Sequence, residues 1–440
     1  MPRRLLRIAT TQQWQRAVRE AGFDAYLLPE LASLDFNRTL AQRLTDGATY
    51  RPYLEKNGID LLLDFNTEAL TFVSSGDQPG QVALTTSALG IPYVACYLDP
   101  VTSTMAQVSW DHHWHLLESQ QWIKWIWETA HAEELIGLGI PNVITLPMAV
   151  MNDDFDTSPL PEPDPGPVVA FMGHPASSWF RSDQGIRADH LLPGLTAAAV
   201  HGDMPELPFH KIYYDLHQFG VRPSANEEPS VRAAKSREYF DRKFVYNAFL
   251  AVRQRDRFAR FLKIKLGDTF ELIGDHWQTN YGLPHTPRIW DMKILHDRMR
   301  RVPICLNLMK GCLESGLNVR HFEITAHGGF MLTYATPELG ACFEIDKECG
   351  TFRDEGELLQ KIEYYLDHTK ERLEIAAAGQ RRTHSQHLYS HRIEQLVAML
   401  RGAGVLANDH PASAARASME PSSVVVNVAS ETHWAPSQTP

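Results

Sequence analysis

Four groups of residues have types and spacings that could do chemistry. Glu323 stands near the start of a short periodic stretch that closes at Gly328-Gly329. A helix N-terminus there would offer unpaired N–H groups and the positive end of a dipole to a phosphate. An ionised Glu beside it offers two acceptor oxygens, enough for both hydroxyls of a ribose. Trp110-Asp111-His112-His113-Trp114-His115 follows the Asp99-Pro100 loop. A histidine titrating near neutrality beside an aspartate can take a proton from an attacking hydroxyl, so His112, His113 and Asp99 are candidate bases. Trp110 and Trp114 offer flat aromatic faces, for packing within the loop or for stacking on a ligand. Asp154-Phe155-Asp156 has the Asp-x-Asp spacing that shares a divalent ion with a diphosphate, but it runs straight into a proline tract. His384, His387 and His391 recur at i, i+3 and i+7; zinc sites usually add a ligand from a second element, so a half-exposed helix face is expected instead.

The elements that must position these groups read as α/β. Strand-like runs at Tyr26 to Leu28, Ile59 to Phe65, Tyr93 to Leu98, Trp122 to Trp127 and Val143 to Leu146 alternate with helical stretches, the pattern of a parallel sheet with crossover helices. Ser158 to Pro167 holds five prolines in ten residues and predicts a stiff linker. A second series then begins with Val168 to Gly173 and continues with Phe270 to Ile273, Ile304 to Leu308 and Gly329 to Thr333. Closing helices are expected over 355–366 and 370–400. The domains are therefore 1–157, a linker at 158–167, and 168–403 with a helical insertion at about 185–265; the Ala/Ser/Pro-rich tail, 404–440, is expected to be disordered. Ligands in such sheets bind beyond the carboxyl ends of the strands, which places the site in the cleft between the domains.

Composition narrows the classes. The 440 residues, 44% hydrophobic and 22% charged, suit an ordinary globular chain, and five cysteines without a C-x-x-C argue against a disulfide framework and fit a reducing compartment. There is no signal-peptide pattern at the start and no apolar run long enough to span a membrane, so a cytoplasmic location is expected. The net charge of -11 arises entirely within residues 1–166, which carry 10 basic and 21 acidic side chains. Arg232 to Lys265, by contrast, has 11 basic residues against three acids, interleaved with Phe244, Phe249, Phe258 and Phe261. That stretch predicts amphipathic helices with a basic face, either a solvated surface or a contact for an acidic acceptor or an anionic membrane. G-x-G-x-x-G, P-loop, G-x-S-x-G and H-E-x-x-H motifs are absent, and the acidic total argues against nucleic acid.

The run Arg320-His321-Phe322-Glu323 through Ala326-His327-Gly328-Gly329-Phe330-Met331-Leu332-Thr333 resembles the nucleotide-binding segment of the CgeB-like (spore-maturation) glycosyltransferases, a GT-B group. Phe270 to Trp277, Ile304 to Leu308 and Glu371 to Arg392 are similar to other parts of that family; residues 55–180 match only in grammar. The resemblance implies a GT-B fold, two Rossmann-like domains facing across a cleft. It implies a hexosyltransferase-type enzyme that moves a sugar from a nucleotide diphosphate donor to an unidentified acceptor: an anionic glycan, a lipid-linked molecule or a protein. The donor would be held by Glu323, Gly328, Gly329, Arg320, Asn318, Gly173, His174, Gly274 and Trp277, with no cofactor and no metal. Arg181, Arg187 and Lys310 are further candidates for the diphosphate. The sequence departs from the Glu-x7-Glu pattern of related enzymes: Ser315 occupies the first position and Glu314 is one residue out of register. A non-catalytic nucleotide-sugar-binding module and a metal-dependent GT-A transferase using Asp154 and Asp156 are the alternatives.

Overall fold

The computed structural model describes residues 5–29, 39–75, 81–101, 116–117, 119–163, 165–176, 227–228, 230–231, 234–236, 239–240, 243, 252–309 and 315–407. Among them two parallel sheets dominate. The first contains β1 (Arg7–Thr10), β2 (Asp24–Leu27), β3 (Leu61–Phe65), β6 (Tyr93–Cys96), β7 (Trp122–Ile126) and β8 (Val143–Thr145) in the order β2-β1-β3-β6-β7-β8. A small antiparallel hairpin, β4 (Phe72–Ser74) and β5 (Val82–Leu84), lies beside it. The second sheet contains β9 (Val169–Met172), β10 (Phe270–Ile273), β11 (Ile304–Asn307), β12 (Met331–Tyr334) and β13 (Gly350–Phe352) in the order β10-β9-β11-β12-β13.

Both sheets are covered by helices on two faces, so their strands read as near-continuous apolar runs. Leu61-Leu62-Leu63-Asp64-Phe65 is buried throughout. Its one charged residue is satisfied inside the fold: Tyr93 Oη donates to both Asp64 oxygens, at 3.0 and 3.1 Å, and the Ala69 N–H donates to Oδ2. The expected α/β class and its two Rossmann-like units are what the structure shows. Two details differ from the expectation. Arg7–Thr10, read only as a basic start, is an interior strand; Asp60 and the Asn57 carbonyl take up the Arg7 N–H and guanidinium that disguised it.

The closing helices differ as well. Instead of one helix over 370–400 there are two, Thr369–Gln386 and Tyr389–Gly402, broken at His387-Leu388. The second leaves its own domain. Tyr389, Ile393, Leu396, Val397 and Leu400 pack with Ile8, Trp14, Leu63 and Trp125 under the first sheet, and the Tyr389 ring stands edge-on to Trp14 at 4.7 Å. The chain thus crosses between domains twice. The crossings are bonded to each other: Val150 N–H donates to the His387 carbonyl, Tyr389 N–H to the Val150 carbonyl, and the Asn152 amide to Ser390 Oγ at 2.8 Å. The proline tract is tied down too, since Arg300 donates to the carbonyls of Asp156, Ser158 and Pro159. The insertion is described chiefly from 252 onward, where helix Arg257–Leu266 packs Phe258, Ala259 and Leu262 against the second sheet. Of the tail, 404–407 are described, and Val405 and Leu406 pack under the first sheet.

Candidate active site

The carboxyl ends of the two sheets face each other. Directly after β7, Glu128 reaches the other domain, where its Oε2 accepts from the Ser315 and Gly316 N–H groups at 3.1 and 3.0 Å. Four residues past the end of β12, Glu338 reaches back, its Oε1 accepting from Thr129 N–H at 2.8 Å and from Ser315 Oγ at 2.6 Å. Gly316 is required by this approach: a Cβ there would lie 2.5 Å from the Glu128 Cβ and 3.0 Å from the Trp127 ring.

From this junction the chain enters helix Val319–Ala326, which carries Glu323. The carboxylate is buried between two cations or donors. His296 Nε2, from helix Met292–Arg301, lies 3.1 Å from Oε1, and Arg320 Nη1 lies 2.6 Å from Oε2. Burial by itself would raise the Glu323 pKa, but the Arg320 charge and the His296 contact outweigh it and hold the group below its ordinary value. It is therefore ionised at neutral pH. The His327 ring stacks on His296 at 3.5 Å, and Phe155 from the hinge stacks on His384 at 4.6 Å and lies 5.3 Å from His327. Burial and the His296 charge push His327 down to about 4, so it sits neutral in this stack.

His321 locks the start of the helix to the sheet. Its Nε2 is 3.0 Å from Thr333 Oγ1, and its Nδ1 is 3.0 Å from Asn307 Nδ2. Nδ1 also lies 2.9 Å from Asn318 Oδ1, which can only accept, so a neutral ring that donates from Nδ1 and accepts from Thr333 Oγ1 at Nε2 satisfies these contacts. Burial pushes the imidazole down to about 3, consistent with that form. Asn307 also donates to Asn318 Oδ1 at 3.2 Å, fixing the residue that precedes the helix.

The second loop of the site lies beyond β9 and β10. Gly274 has φ +153°, and a Cβ there would meet the Gly173 carbonyl oxygen at 2.5 Å. Only glycine permits the two loops to lie so close. Asp275 N–H donates to His174 Nδ1 at 2.8 Å, and Trp277 Nε1 donates to the Gly173 carbonyl at 2.9 Å. The Trp277 ring is fully buried, so it builds this loop from behind. Farther along, Arg288 N–H donates to Asp275 Oδ1, and its guanidinium lies 3.7 Å above the ring of Trp290, which is 73% exposed.

Glu323, Arg320, Asn318, Gly173, His174 and Gly274 thus all stand on elements at the cleft end of the second sheet. Gly328 and Gly329 do not. They follow the far end of helix Val319–Ala326, on the amino side of β12, where Gly329 packs near Met299 and Cys305. Asp99 follows β6 at the carboxyl end of the first sheet, next to Leu98, which packs into cores of both domains. His112, His113, Trp110 and Trp114 lie outside the described residues, as do Arg181, Arg187, Lys310 and Glu314.

The metal readings find little support in the geometry. Asp154 and Asp156 diverge to different arginines, Arg16 at 2.8 Å and Arg300 at 3.3 Å. His384 Nε2 bonds the Ala326 carbonyl, His387 Nε2 the Cys342 carbonyl, and His391 Nδ1 accepts from Leu388 N–H, so the helix break sends the three imidazoles to three places. Among the described residues no group of three or more His, Cys, Asp or Glu could hold a metal ion. The described part of the basic stretch is engaged within the fold: Lys243 pairs with Glu134 of the first domain, Arg257 pairs with Glu355, Arg260 lies over Tyr281, and Lys263 donates to the Phe270 carbonyl. None of the described helices is long and apolar enough to cross a membrane.

Glu128, His131, His296, Arg288 and Trp290 were missed by sequence reasoning. For Glu128 a signal existed, since a carboxylate directly after an apolar strand in a parallel sheet stands at the ligand end.

Fold and site together define a two-domain parallel α/β protein with two Rossmann-like units and a carboxylate-centred cleft. Residues 253–398, about a third of the chain, match the family described as "Glycosyl transferase-like". That segment holds Glu323, Arg320, His296 and the Gly274 loop. No curated protein matches the chain. Solved structures that resemble it include sucrose-phosphate synthase from Thermosynechococcus elongatus, at 12% identity and a TM-score of 0.45, covering 90% of this chain and 100% of that one. A glycosyltransferase from Rickettsia africae shares 10% identity at a TM-score of 0.45, with 92% and 99% covered. HepE from Anabaena in complex with UDP shares 10% at 0.42, with 90% and 99% covered.

Proposed function

We propose that this chain is a metal-independent glycosyltransferase, CgeB-like and of hexosyltransferase type, that moves a sugar from a nucleoside diphosphate donor to an acceptor. The observation that carries the reading is Glu323: a buried, ionised carboxylate on a helix that starts beyond the carboxyl end of β11, inside the segment that matches the glycosyl transferase-like family. In this reading Glu323 takes the ribose hydroxyls. Arg320 and the N–H groups that open the helix meet the diphosphate, whose charge grows as the sugar leaves. The Gly173 and Gly274 loops, packed backbone to backbone, admit the donor at close range. Asp99 faces the reaction from the other domain and, with His112 or His113, accepts the acceptor's proton. An acidic acceptor or an anionic membrane would meet the basic stretch 232–265, within which Lys235, Lys243, Arg257, Arg260 and Lys263 are already engaged in the fold.

The test is donor turnover followed by mass spectrometry with candidate nucleotide sugars. Release of free nucleotide that falls in Asp99→Asn, and in His112→Ala or His113→Ala, supports transfer chemistry. Full activity in all three variants would remove them from the mechanism. One observation favours a second reading, a binding module without chemistry: the first Glu of the Glu-x7-Glu pattern is replaced by Ser315, whose N–H is taken by Glu128. Nucleotide binding without turnover on any donor would decide for that module.

A further inference from the structure

Glu128 and His131 form an ion pair with no role in the reading above. Both side chains are almost wholly buried, and Glu128 Oε1 lies 2.7 Å from His131 Nε2. Burial would raise the Glu128 pKa, yet the His131 charge and the N–H groups of Gly316 and Ser315 outweigh it and leave the carboxylate below its ordinary value. The same balance runs the other way at His131, where burial lowers and Glu128 more than restores, so the imidazole is held above its ordinary value. An ion pair removed from water is costly compared with an apolar pair of the same size, and such a pair is better understood by what it fixes than by what it stabilises.

What it fixes is the approach to the donor helix. Glu128 belongs to the first domain, but its Oε2 bonds the two consecutive N–H groups of Ser315 and Gly316, three and two residues ahead of Asn318. The arrangement is reciprocal. Helix Thr129–Gly137 of the first domain begins at this junction, and its first N–H groups are taken by the second domain: Thr129 N–H by Glu338 Oε1, Ala130 N–H by Ser315 Oγ at 3.3 Å. Each domain therefore satisfies the backbone donors of the other, with Ser315 at the centre. Here the missing first Glu of the family pattern acquires a meaning: at that position the chain presents a small hydroxyl residue, and a carboxylate comes from across the cleft.

We propose that Glu128 is a positioning residue for the donor site, fixing the Ser315-Gly316 turn from the opposite domain so that Asn318, Arg320 and Glu323 are presented to the nucleotide only when the domains are closed at this point. The inference rests on the donor-site reading of Glu323. Donor affinity then depends on a residue that touches no donor atom, and on a domain that the nucleotide does not occupy.

Glu128→Gln keeps the size of the side chain and removes its charge. Glu338→Gln loosens the other half of the clasp at a partly exposed side chain, and serves if the first variant folds poorly. Hydrogen exchange of the intact protein reads the geometry without any nucleotide: the Ser315 and Gly316 amides and helix Val319–Ala326 should exchange at least about tenfold faster in the variants, while β9 and β10 keep their protection. Titration with UDP and GDP reads the consequence. Whichever nucleotide wild type binds should bind Glu128→Gln about tenfold more weakly, with donor KM rising more than kcat falls. Unchanged exchange at 315–326 overturns the inference whatever the nucleotide does. Faster exchange with unchanged affinity and KM overturns it too, reducing the pair to a structural tie. Wild type that binds neither nucleotide overturns the donor-site reading first, and this inference with it.

Discussion

Glu323 and Glu128 are both buried, both ionised and both paired with a histidine, yet they are supported differently. Glu323 draws its partners, His296 and Arg320, from its own domain, and its carboxylate is held by side chains. Glu128 draws on the other domain, and one of its oxygens is held by backbone N–H groups. Side-chain partners can re-form around a ligand; backbone donors move only with the loop that carries them. The first arrangement suits a group that exchanges partners with a nucleotide, the second a group that sets the position of a loop.

The difference can be probed by how much each contact contributes. The largest effect is expected from Glu128→Ala, which strands a buried imidazole and two N–H groups. It should cost roughly 3–5 kcal/mol in urea unfolding, the range for breaking one side of a buried ion pair. A loss below about 1 kcal/mol would mean that the junction is wet or already loose. Gly316→Ala acts on the same contact by steric means, because its Cβ would stand 2.5 Å from the Glu128 Cβ. Overpacking of that kind costs about 1–3 kcal/mol. Gly340→Ala, which faces open space, is the control with no expected loss.

The two glutamates also differ in the protonation their surroundings require. On the Glu323 side His321 and His327 are held neutral, at about 3 and about 4, and His387 at about 3 lies in the same domain. Groups with depressed folded values leave the unfolded chain binding more protons, so stability is present above about pH 6.5 and falls as pH drops toward these values. The slope is up to ~1.4 kcal/mol per pH unit for each imidazole. His131 is raised, so its contribution is complete below about pH 6.5 and is lost as pH rises through the folded value. Melting curves against pH should therefore lose their acid limb partly in His327→Phe and their alkaline limb partly in His131→Asn. The reverse assignment would contradict both pKa directions. The smallest effect belongs to the hinge: Asp154→Asn breaks an exposed pair with Arg16 and should leave turnover within about twofold, with or without EDTA. Reversible loss of activity in chelator would favour the metal-dependent alternative.

The fold was largely readable because parallel strands buried on both faces are spelled as apolar runs, as in Leu61–Phe65 and Ile304–Asn307. Arg7–Thr10 escaped notice because it is four residues long and begins with a charge that only Asp60 and Asn57, some fifty residues away, explain. The final helix was assigned to the wrong neighbour for a similar reason: its apolar face is plain in sequence, but the identity of the sheet it covers is a matter of tertiary packing. In the candidate site, Glu323 is singled out in the sequence by its resemblance to a family pattern. Gly328 and Gly329 belonged to the same run but lie at the opposite end of its helix, since a motif preserves order along the chain and not which end faces the ligand. His296 carries no local signature and Glu128 only its place after an apolar strand; they matter through partners 27 and 187 or 188 residues distant.

The central claim is that Glu323 holds the nucleotide, and calorimetry with UDP and GDP on wild type and Glu323→Ala tests it most directly. One charge-assisted hydrogen bond is worth about 1.5–3 kcal/mol, so the variant should bind about 10- to 100-fold more weakly while helix Val319–Ala326 remains folded. Undiminished binding by a folded Glu323→Ala protein would contradict the account.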